Sequence, residues 1–298
     1  MIWQRFVASQ MNPYKFLENS AGKKVSIAVN IKPSAEGASE FWVKPIKSEL
    51  RLFYLDWVRS RREMVDKLSG GRIGYIHVPD TNVAGNRELF RGFYSYHEKD
   101  ALIIDERYNG GGFIPDVMTD LLGRKILNYV ARTGLEMATT PQMVHEGPKA
   151  MLINGYAGSG GDAFPYYFRK QKLGVLIGTR TWGGLVGLSG NPGLADGGSI
   201  NVPTFAFVDT EGDWAVEGIG VSPDLEVLDL PELVAAGKDP CVEKAIQVLM
   251  EELKKNPPKK VQKPKEPDRS KWHEKEIKTP SQRPFSLGGK GGLKGGGY

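Results

Sequence analysis

The sequence predicts an α/β layered domain, in which helices cover both faces of a sheet. Residues 101–105 and 150–153 are short apolar runs, typical of strands that are covered on both faces. Residues 48–68 carry apolar side chains at helical spacing. Strands and helices alternate along the chain, and in α/β domains the functional sites lie at the carboxyl ends of the strands.

The first part of the chain contains two candidate strands. Residues 22–30 alternate apolar and polar side chains, and residues 41–46 are a second candidate. Two strands alone bury too little surface to be stable. We therefore expect them to pack on the rest of the chain, to pair with another chain, or to be the end of a domain whose beginning is absent.

The remaining elements follow in chain order. Ser48 can cap the first helix, and Gly70 can end it because glycine readily adopts the left-handed conformation after a helix. The predicted elements are a helix at 48–68, a strand at 72–79, a helix at 85–97, a strand at 101–105, a helix at 115–131, a strand at 150–153, a helix from about 163, a strand at 173–178, a strand at 199–207 and a helix at 239–253.

Charge is unevenly distributed along the 298 residues, whose formal net charge is +5. Residues 254–298 hold 13 Lys or Arg against 4 Asp or Glu, a net of +9, which leaves 5 − 9 = −4 for residues 1–253. A folded part with this charge gives no electrostatic reason to expect a nucleic acid partner. The last segment is rich in Pro, Lys and Gly, and we expect a disordered basic tail.

Several simple features indicate a cytoplasmic protein. Cys241 is the single cysteine, so no disulfide can form within the chain. The first residues lack the layout of a signal peptide, and no apolar run approaches the roughly 18–20 residues of a membrane span. We expect no membrane partner. No metal-ligand spacing, phosphate loop or dinucleotide fingerprint is present, and we expect no metal and no cofactor.

The chain is organised around residues 153–162 (INGYAGSGGD), which join a predicted strand to a predicted helix. A serine at such a glycine-flanked turn, Ser159, exposes its hydroxyl, and the first N–H groups of the helix have no internal partners. A nucleophile that must stabilise an oxyanion needs this arrangement. An ordinary βα turn, in which Gly and Ser serve only the backbone, is the alternative.

Two further stretches accompany the Ser159 turn, residues 107–112 (RYNGGG) and residues 217–224 (EGIGVSPD). In their order and separation, the three stretches resemble the catalytic core of tricorn-type serine peptidases, within the wider group of tail-specific, carboxy-terminal processing peptidases. Several motifs that agree in order are far more specific than any one of them.

The resemblance implies a domain organisation. Residues 48–253 are expected to form a crotonase-like layered β/α catalytic core. Residues 1–47 are then the remnant of a PDZ-like domain, and residues 254–298 are the tail.

The resemblance also implies roles for individual residues. Ser159 matches the nucleophile of the family. The backbone N–H groups of Gly160 and of the turn with Gly111 and Gly112 match the oxyanion hole. Glu217 matches the acidic residue that orients a histidine through an intermediate serine. Glycine suits the oxyanion positions because a side chain would crowd the carbonyl under attack.

The general base is missing from the matched pattern. The carboxy-terminal processing branch uses a lysine in the turn that here is 181–184, which contains none. The tricorn branch uses a histidine upstream of the PDZ-like domain. We expect His77 to be structural or to line the site rather than to act as the base. Asn109 is a second candidate for a residue that lines the site. The other histidines, none with an evident carboxylate partner in the sequence, are His97, His145 and His273.

Three functions are compatible with the sequence. The leading one is a serine endopeptidase core that hydrolyses unfolded polypeptides or oligopeptides, with a histidine contributed from outside this chain. The second is a catalytically impaired form that binds peptides or acts as a subunit. The third is a crotonase-like acyl-CoA enzyme, which needs a glycine-lined oxyanion hole but no nucleophilic serine. The expected partner is a peptide or unfolded polypeptide, and a homo-oligomer is left open.

Overall fold

The computed structural model describes residues 11–258, 261–266 and 268. The chain divides into two compact units, residues 1–259 and residues 260–298. The described residues of the second unit contain no helix or strand. The predicted disorder of the tail falls largely on residues outside the described part of the chain.

All regular elements of the described chain belong to the first unit, which also has a short 3₁₀ helix at Pro13–Leu17. The strands are β1 (Val25–Val29), β2 (Ser39–Val43), β3 (Ile73–His77), β4 (Ala101–Asp105), β5 (Asn128–Val130), β6 (Ala138–Thr140), β7 (Lys149–Ile153), β8 (Val175–Gly178), β9 (Gly187–Leu188), β10 (Pro203–Phe205) and β11 (Leu225–Glu226). The helices are α1 (Leu50–Ser69), α2 (Val83–Ser95), α3 (Pro115–Gly123), α4 (Gly160–Lys170), α5 (Pro231–Ala235) and α6 (Pro240–Lys255).

Five strands form a central parallel sheet in the spatial order β11-β8-β7-β4-β3. Strands β3, β4 and β7 are buried along their whole length. Successive side chains of a strand point to opposite faces of the sheet. Ile104 and Met151 accordingly pack with α2, α3 and α4, whereas Ile103 and Leu152 pack with α1 and α6. Helices therefore cover both faces, which confirms the predicted α/β class.

Among the described residues, three antiparallel strand pairs accompany the sheet: β1–β2, β5–β6 and β9–β10. The first of them confirms that two strands precede α1. Its origin as the remnant of a PDZ-like domain stays a prediction.

The largest differences from the predicted elements are one helix and one strand, both of which are much shorter than expected. The helix expected at 115–131 ends at Gly123, because residues 128–130 pair with residues 138–140 as β5 and β6. The strand expected at 199–207 is reduced to β10, which is exposed and, among the described strands, pairs only with the two-residue β9. Without a longer partner strand, the flanking apolar residues cannot extend the ladder.

The ends of the long helices are capped. The N-cap residue of α1 is Glu49 and not the predicted Ser48, but Ser48 Oγ accepts the N–H of Leu50 at 3.2 Å. Gly70 ends α1 with a φ of 61°. Asp239 accepts the N–H of Val242 at 3.1 Å at the start of α6. No described helix combines the length and the apolar character that crossing a bilayer requires.

Candidate active site

Ser159 lies in the turn between β7 and α4. Its backbone has φ 56° and ψ −119°, a region that residues other than glycine rarely adopt. Its N–H donates to Gly184 O at 3.0 Å, and its carbonyl accepts the N–H of Ala163 at 3.0 Å. The side chain is exposed. An exposed serine with a strained backbone at a strand-to-helix turn has the geometry of a nucleophile elbow.

The glycine-rich turn after β4 lies against this serine. A Cβ on Gly111 would lie 2.8 Å from Ser159 Cβ and 3.2 Å from Gly160 N. A Cβ on Gly160 would lie 2.7 Å from Gly112 N. Only glycine lets the two turns approach this closely. The structure thus brings together the predicted nucleophile and the three predicted oxyanion-hole residues.

The backbone N–H groups of these glycines have different partners. Gly111 N donates to Asn109 Oδ1 at 2.9 Å. Gly112 N and Gly160 N donate to no acceptor within the described part of the chain. Unpartnered N–H groups beside a nucleophile can stabilise an oxyanion. Of the three predicted oxyanion-hole residues, Gly112 and Gly160 therefore have N–H groups available as donors. The N–H of Gly111 is occupied, and the lack of a side chain at Gly111 leaves space for Ser159.

Asn109 organises the glycine turn from a fully buried position. Its Nδ2 donates to Val78 O at 3.0 Å, and its Oδ1 holds Gly111. Its carbonyl accepts the N–H of Gly158 at 3.2 Å. Asn109 therefore links the chain after β3, the glycine turn and the Ser159 loop, so it supports the site from within.

Glu217 is held by the segment that follows β8. Its Oε2 accepts the N–H groups of Leu185 at 2.6 Å and Val186 at 2.7 Å. Its Oε1 has no hydrogen bond to any described residue, and the residue is exposed. A carboxylate that is anchored through one oxygen can orient another group through the second oxygen.

The residue before Glu217 is strained. Val216 has a φ of 70°, an outlier for a β-branched side chain. The N–H of Glu217 donates to Ala215 O at 2.8 Å, which closes a γ-turn around Val216. With a positive φ this is the rarer and more strained form of γ-turn. Strain thus occurs at Ser159 and next to Glu217, and such strain clusters at functional sites.

Asp162 is a buried carboxylate close to the Ser159 turn for which the sequence predicted no role. Asp162, on the first turn of α4, is fully buried. Its Oδ1 accepts Thr181 Oγ1 at 2.5 Å and Gly183 N at 2.8 Å, and its Oδ2 accepts Gly184 N at 3.2 Å. Burial raises the pKa of Asp162, although these hydrogen bonds oppose the shift. An acidic residue in a first helical turn is common, so its spacing carried no signal.

His77 does not hydrogen-bond to Ser159. Its Nδ1 lies 3.0 Å from Tyr54 Oη, and its Nε2 lies 3.2 Å from Arg107 O, so both ring nitrogens are engaged. It lines a cavity of about 160 Å³ between α1, α2 and β3 that Ser159 does not line. Burial lowers the pKa of His77. These contacts fit the structural interpretation of His77 and not its interpretation as a site-lining residue.

The other described histidines are also engaged elsewhere. His145 and His97 each lie 2.9 Å from a backbone carbonyl oxygen, which belongs to Lys99 in the case of His145. His273 lies outside the described residues. Within the described chain, therefore, no histidine hydrogen-bonds to Ser159.

Arg107 of the RYNGGG stretch supports the carboxyl end of β4, where the glycine turn begins. Its buried guanidinium donates to Asp105 at 2.6 Å, Asp229 at 2.9 Å and Asp239 at 2.9 Å. Burial opposes the ionisation of Asp105, but Arg107 outweighs it and holds the pKa of that carboxyl below its usual range. The network joins the end of β4 to the start of α6.

Glu106 is a fully buried carboxyl beside this network. Neither of its oxygens has a hydrogen-bond partner within the described chain. Burial raises the pKa of Glu106 well above its usual value, and the charges of Asp162 and Asp105 add to the shift. The neutral form of Glu106 is therefore favoured. Among the described residues, no group of three or more His, Cys, Asp or Glu side chains could hold a metal ion.

Comparison with known proteins identifies relatives of this core. Residues 72–227 match the model of peptidase family S41. A tricorn-like protease C-terminal subunit of Sulfurisphaera tokodaii is 39% identical over 211 residues, which cover 71% of this chain and 25% of that protein. The tricorn protease of Thermoplasma acidophilum is 36% identical over 248 residues, which cover 83% of this chain and 23% of that protein.

A solved structure agrees with these relatives. The crystal structure of the tricorn protease matches with a TM-score of 0.75 and 35% identity, over 82% of this chain and 24% of that one. The chain thus spans about a quarter of the length of these relatives. Ser159, Glu217 and the glycine turn all fall within the matched residues 72–227. The chain therefore belongs to peptidase family S41 and contains a serine-type peptidase core.

Proposed function

We propose that the chain is the nucleophile-bearing core of a serine endopeptidase that hydrolyses peptide bonds in unfolded polypeptides or oligopeptides. The observation that carries this proposal is the exposed Ser159 beside the N–H groups of Gly112 and Gly160, which have no acceptor among the described residues. A nucleophile next to two free backbone donors suits acyl transfer. Membership in family S41 favours peptides over acyl-CoA thioesters as substrates.

In this mechanism, Ser159 Oγ attacks the carbonyl carbon of the scissile peptide bond while its proton passes to a general base. The carbonyl oxygen becomes an oxyanion, which the N–H groups of Gly112 and Gly160 stabilise. The base then gives the proton to the departing amine, the C–N bond breaks, and an ester at Ser159 remains. Water, activated by the same base, hydrolyses this ester and restores the serine.

The general base in this proposal is a histidine contributed by a segment outside the described residues. Each described histidine hydrogen-bonds elsewhere, which supports an external source. Glu217 keeps Oε1 available while Oε2 is anchored, and it orients the histidine through an intermediate serine. The Sulfurisphaera tokodaii relative bears the name of a C-terminal subunit, which favours a histidine delivered by a second polypeptide.

Labelling with a fluorophosphonate probe tests the nucleophile and the missing base together. We expect the purified chain to label slowly and imidazole to accelerate the labelling, because free imidazole can act as a general base. Mass spectrometry should locate the adduct at Ser159, and Ser159→Ala should stay unlabelled. Ser189→Ala, at another exposed serine, is the matched control and should label like the wild type.

Two results would contradict parts of this proposal. Rapid labelling without imidazole would mean that the base lies within this chain. No labelling with imidazole would exclude Ser159 as the nucleophile and favour the alternative, a peptide-binding subunit of the same fold. The cytoplasmic location and a homo-oligomer stay predictions.

A further inference from the structure

Asp162 makes three hydrogen bonds to one short segment, residues 181–186, which follows β8. Its two carboxylate oxygens accept one hydroxyl and two backbone N–H groups of that segment, at Thr181, Gly183 and Gly184. The side chain is fully buried, so it cannot touch a substrate in this conformation. The hydrogen bonds of Asp162 therefore serve the shape of the site and not the reacting atoms.

The 181–186 segment contacts both chemically important residues. At one end, Gly184 O accepts the N–H of Ser159 at 3.0 Å. At the other end, the N–H groups of Leu185 and Val186 hold Glu217 Oε2. Ser159 and Glu217 are 58 positions apart in the chain (217 − 159), yet they attach to consecutive residues of this segment.

The same segment is also clamped to the loop that precedes β11. Thr181 and Val221 exchange two hydrogen bonds, Thr181 N to Val221 O at 3.1 Å and Val221 N to Thr181 Oγ1 at 2.8 Å. Gly218 N donates to Gly183 O at 2.7 Å. The Thr181 hydroxyl thus donates to Asp162 and accepts from Val221, so it continues the network from α4 to the Glu217 loop.

We propose that Asp162 is a positioning residue that sets the spacing between Ser159 and Glu217 through the 181–186 segment. This inference rests on the proposed serine peptidase mechanism, because the spacing matters only if both residues act together. A carboxylate is needed because all three partners are donors. An asparagine has one acceptor oxygen, and its N–H₂ group would face a donor.

Hydrogen exchange tests the geometry without any catalytic readout. In Asp162→Asn, we expect the amides of residues 183–186 to exchange at least about tenfold faster than in the wild type, because their acceptors are lost or displaced. Asp224→Asn is the matched control, since Asp224 accepts the N–H of Leu176 in β8 but does not contact the segment. Unchanged exchange of residues 183–186 in Asp162→Asn would overturn the proposal.

Labelling of Ser159 in the presence of imidazole tests the consequence for the nucleophile. We expect Asp162→Asn to lower the maximal rate of fluorophosphonate labelling at least about tenfold while the probe concentration for half-maximal rate stays the same. Thr181→Val should act in the same direction, and Thr181→Ser, which keeps the hydroxyl, should restore the rate. Wild-type rates in Asp162→Asn and Thr181→Val would overturn the proposal, as would equal losses in Thr181→Val and Thr181→Ser.

The two measurements separate this inference from the proposed function. Ser159→Ala should lose labelling and keep the slow exchange of residues 183–186. If wild-type Ser159 does not label at all, the proposed function fails, and the exchange experiment still decides whether Asp162 holds the segment. If Asp162→Asn does not fold, hydrogen exchange and labelling are both measured on Thr181→Val and Thr181→Ser instead.

Discussion

Gly111 and Ser159 pack against each other where two turns meet at the carboxyl ends of the strands. A Cβ on Gly111 would lie only 2.8 Å from Ser159 Cβ. The contact joins the turn after β4 to the turn after β7. This close contact explains why the turn after β4 needs a glycine at position 111. The N–H of Gly111 itself is bound to Asn109 and cannot serve an oxyanion.

Gly111→Ala should therefore displace Ser159, the proposed nucleophile. Gly111 has a φ of +82°, so alanine is strained there and also clashes with Ser159. Gly190 has a φ of +66°, and a Cβ at that position would meet no atom of the described residues within 4 Å, so Gly190→Ala carries similar strain without the clash. We expect imidazole-assisted labelling to fall about 100-fold in Gly111→Ala and to stay near the wild-type rate in Gly190→Ala. Equal rates in the two variants would show that the contact does not position Ser159.

Ser159→Gly should be more stable than Ser159→Ala. The backbone conformation of Ser159 costs about 1–3 kcal/mol for a residue other than glycine. Glycine avoids this strain but loses roughly 0.5–1 kcal/mol more in chain entropy. Thermal unfolding followed by circular dichroism should therefore show a melting temperature a few degrees higher for Ser159→Gly than for Ser159→Ala. A lower melting temperature for Ser159→Gly would contradict strain at this residue.

His145 should make the chain sensitive to acid. Burial and the charge of Lys149 lower the pKa of His145 from 6.5 to about 4. Between these pH values the unfolded state binds more protons than the folded state, so stability falls as the pH drops through this window. The shift corresponds to a loss of about 3 kcal/mol.

His145→Gln tests this pH dependence. Glutamine keeps an N–H for the Lys99 carbonyl but does not titrate. The free energy of unfolding, measured with urea at pH 7 and pH 4, should change less in His145→Gln than in the wild type. His97→Gln, at a more exposed histidine, should keep the wild-type dependence. An unchanged acid sensitivity in His145→Gln would place its origin in another group.

Glu106→Gln should stabilise the chain at high pH and not at low pH. The pKa of Glu106 is raised in the folded state, so its contribution to stability is present below the unfolded pKa of 4.5 and is lost as the pH rises through the folded pKa. Each unit of difference corresponds to about 1.4 kcal/mol. In urea unfolding, Glu106→Gln should raise the free energy of unfolding at pH 8 and change it little at pH 4. Glu136→Gln, at an exposed position, is the control and should change neither value. A loss of stability at pH 8 would mean that ionised Glu106 is favoured.

Arg107→Met should destabilise the chain by about 3–5 kcal/mol, because Asp105 would be left buried without its cation and Asp239 would keep only its pair with Arg61. Lys170→Met removes the exposed pair with Glu211 and should leave the unfolding midpoint nearly unchanged. Urea unfolding of the two variants measures the contrast. Similar midpoints would show that the aspartates find other partners.

The buried strands could be predicted from the sequence because their signal is local. The apolar run at 101–105 is β4, and residues 150–153 belong to β7. The hairpins could not be predicted to the same degree. Strand β5 forms because residues 138–140 pair with it, and that partner ended the helix expected to continue to residue 131.

The sequence by itself determined the fold class, the order of the three motif stretches and, through them, the peptidase family. Only the tertiary structure decided that the N–H of Gly112, unlike that of Gly111, has no acceptor among the described residues, and that His77 faces Tyr54. It also decided that Asp162 binds the segment to which Ser159 and Glu217 attach. The physical reason is that apolar periodicity acts between neighbours in the chain, whereas the partner of an N–H group or a carboxylate is chosen by segments tens of residues away.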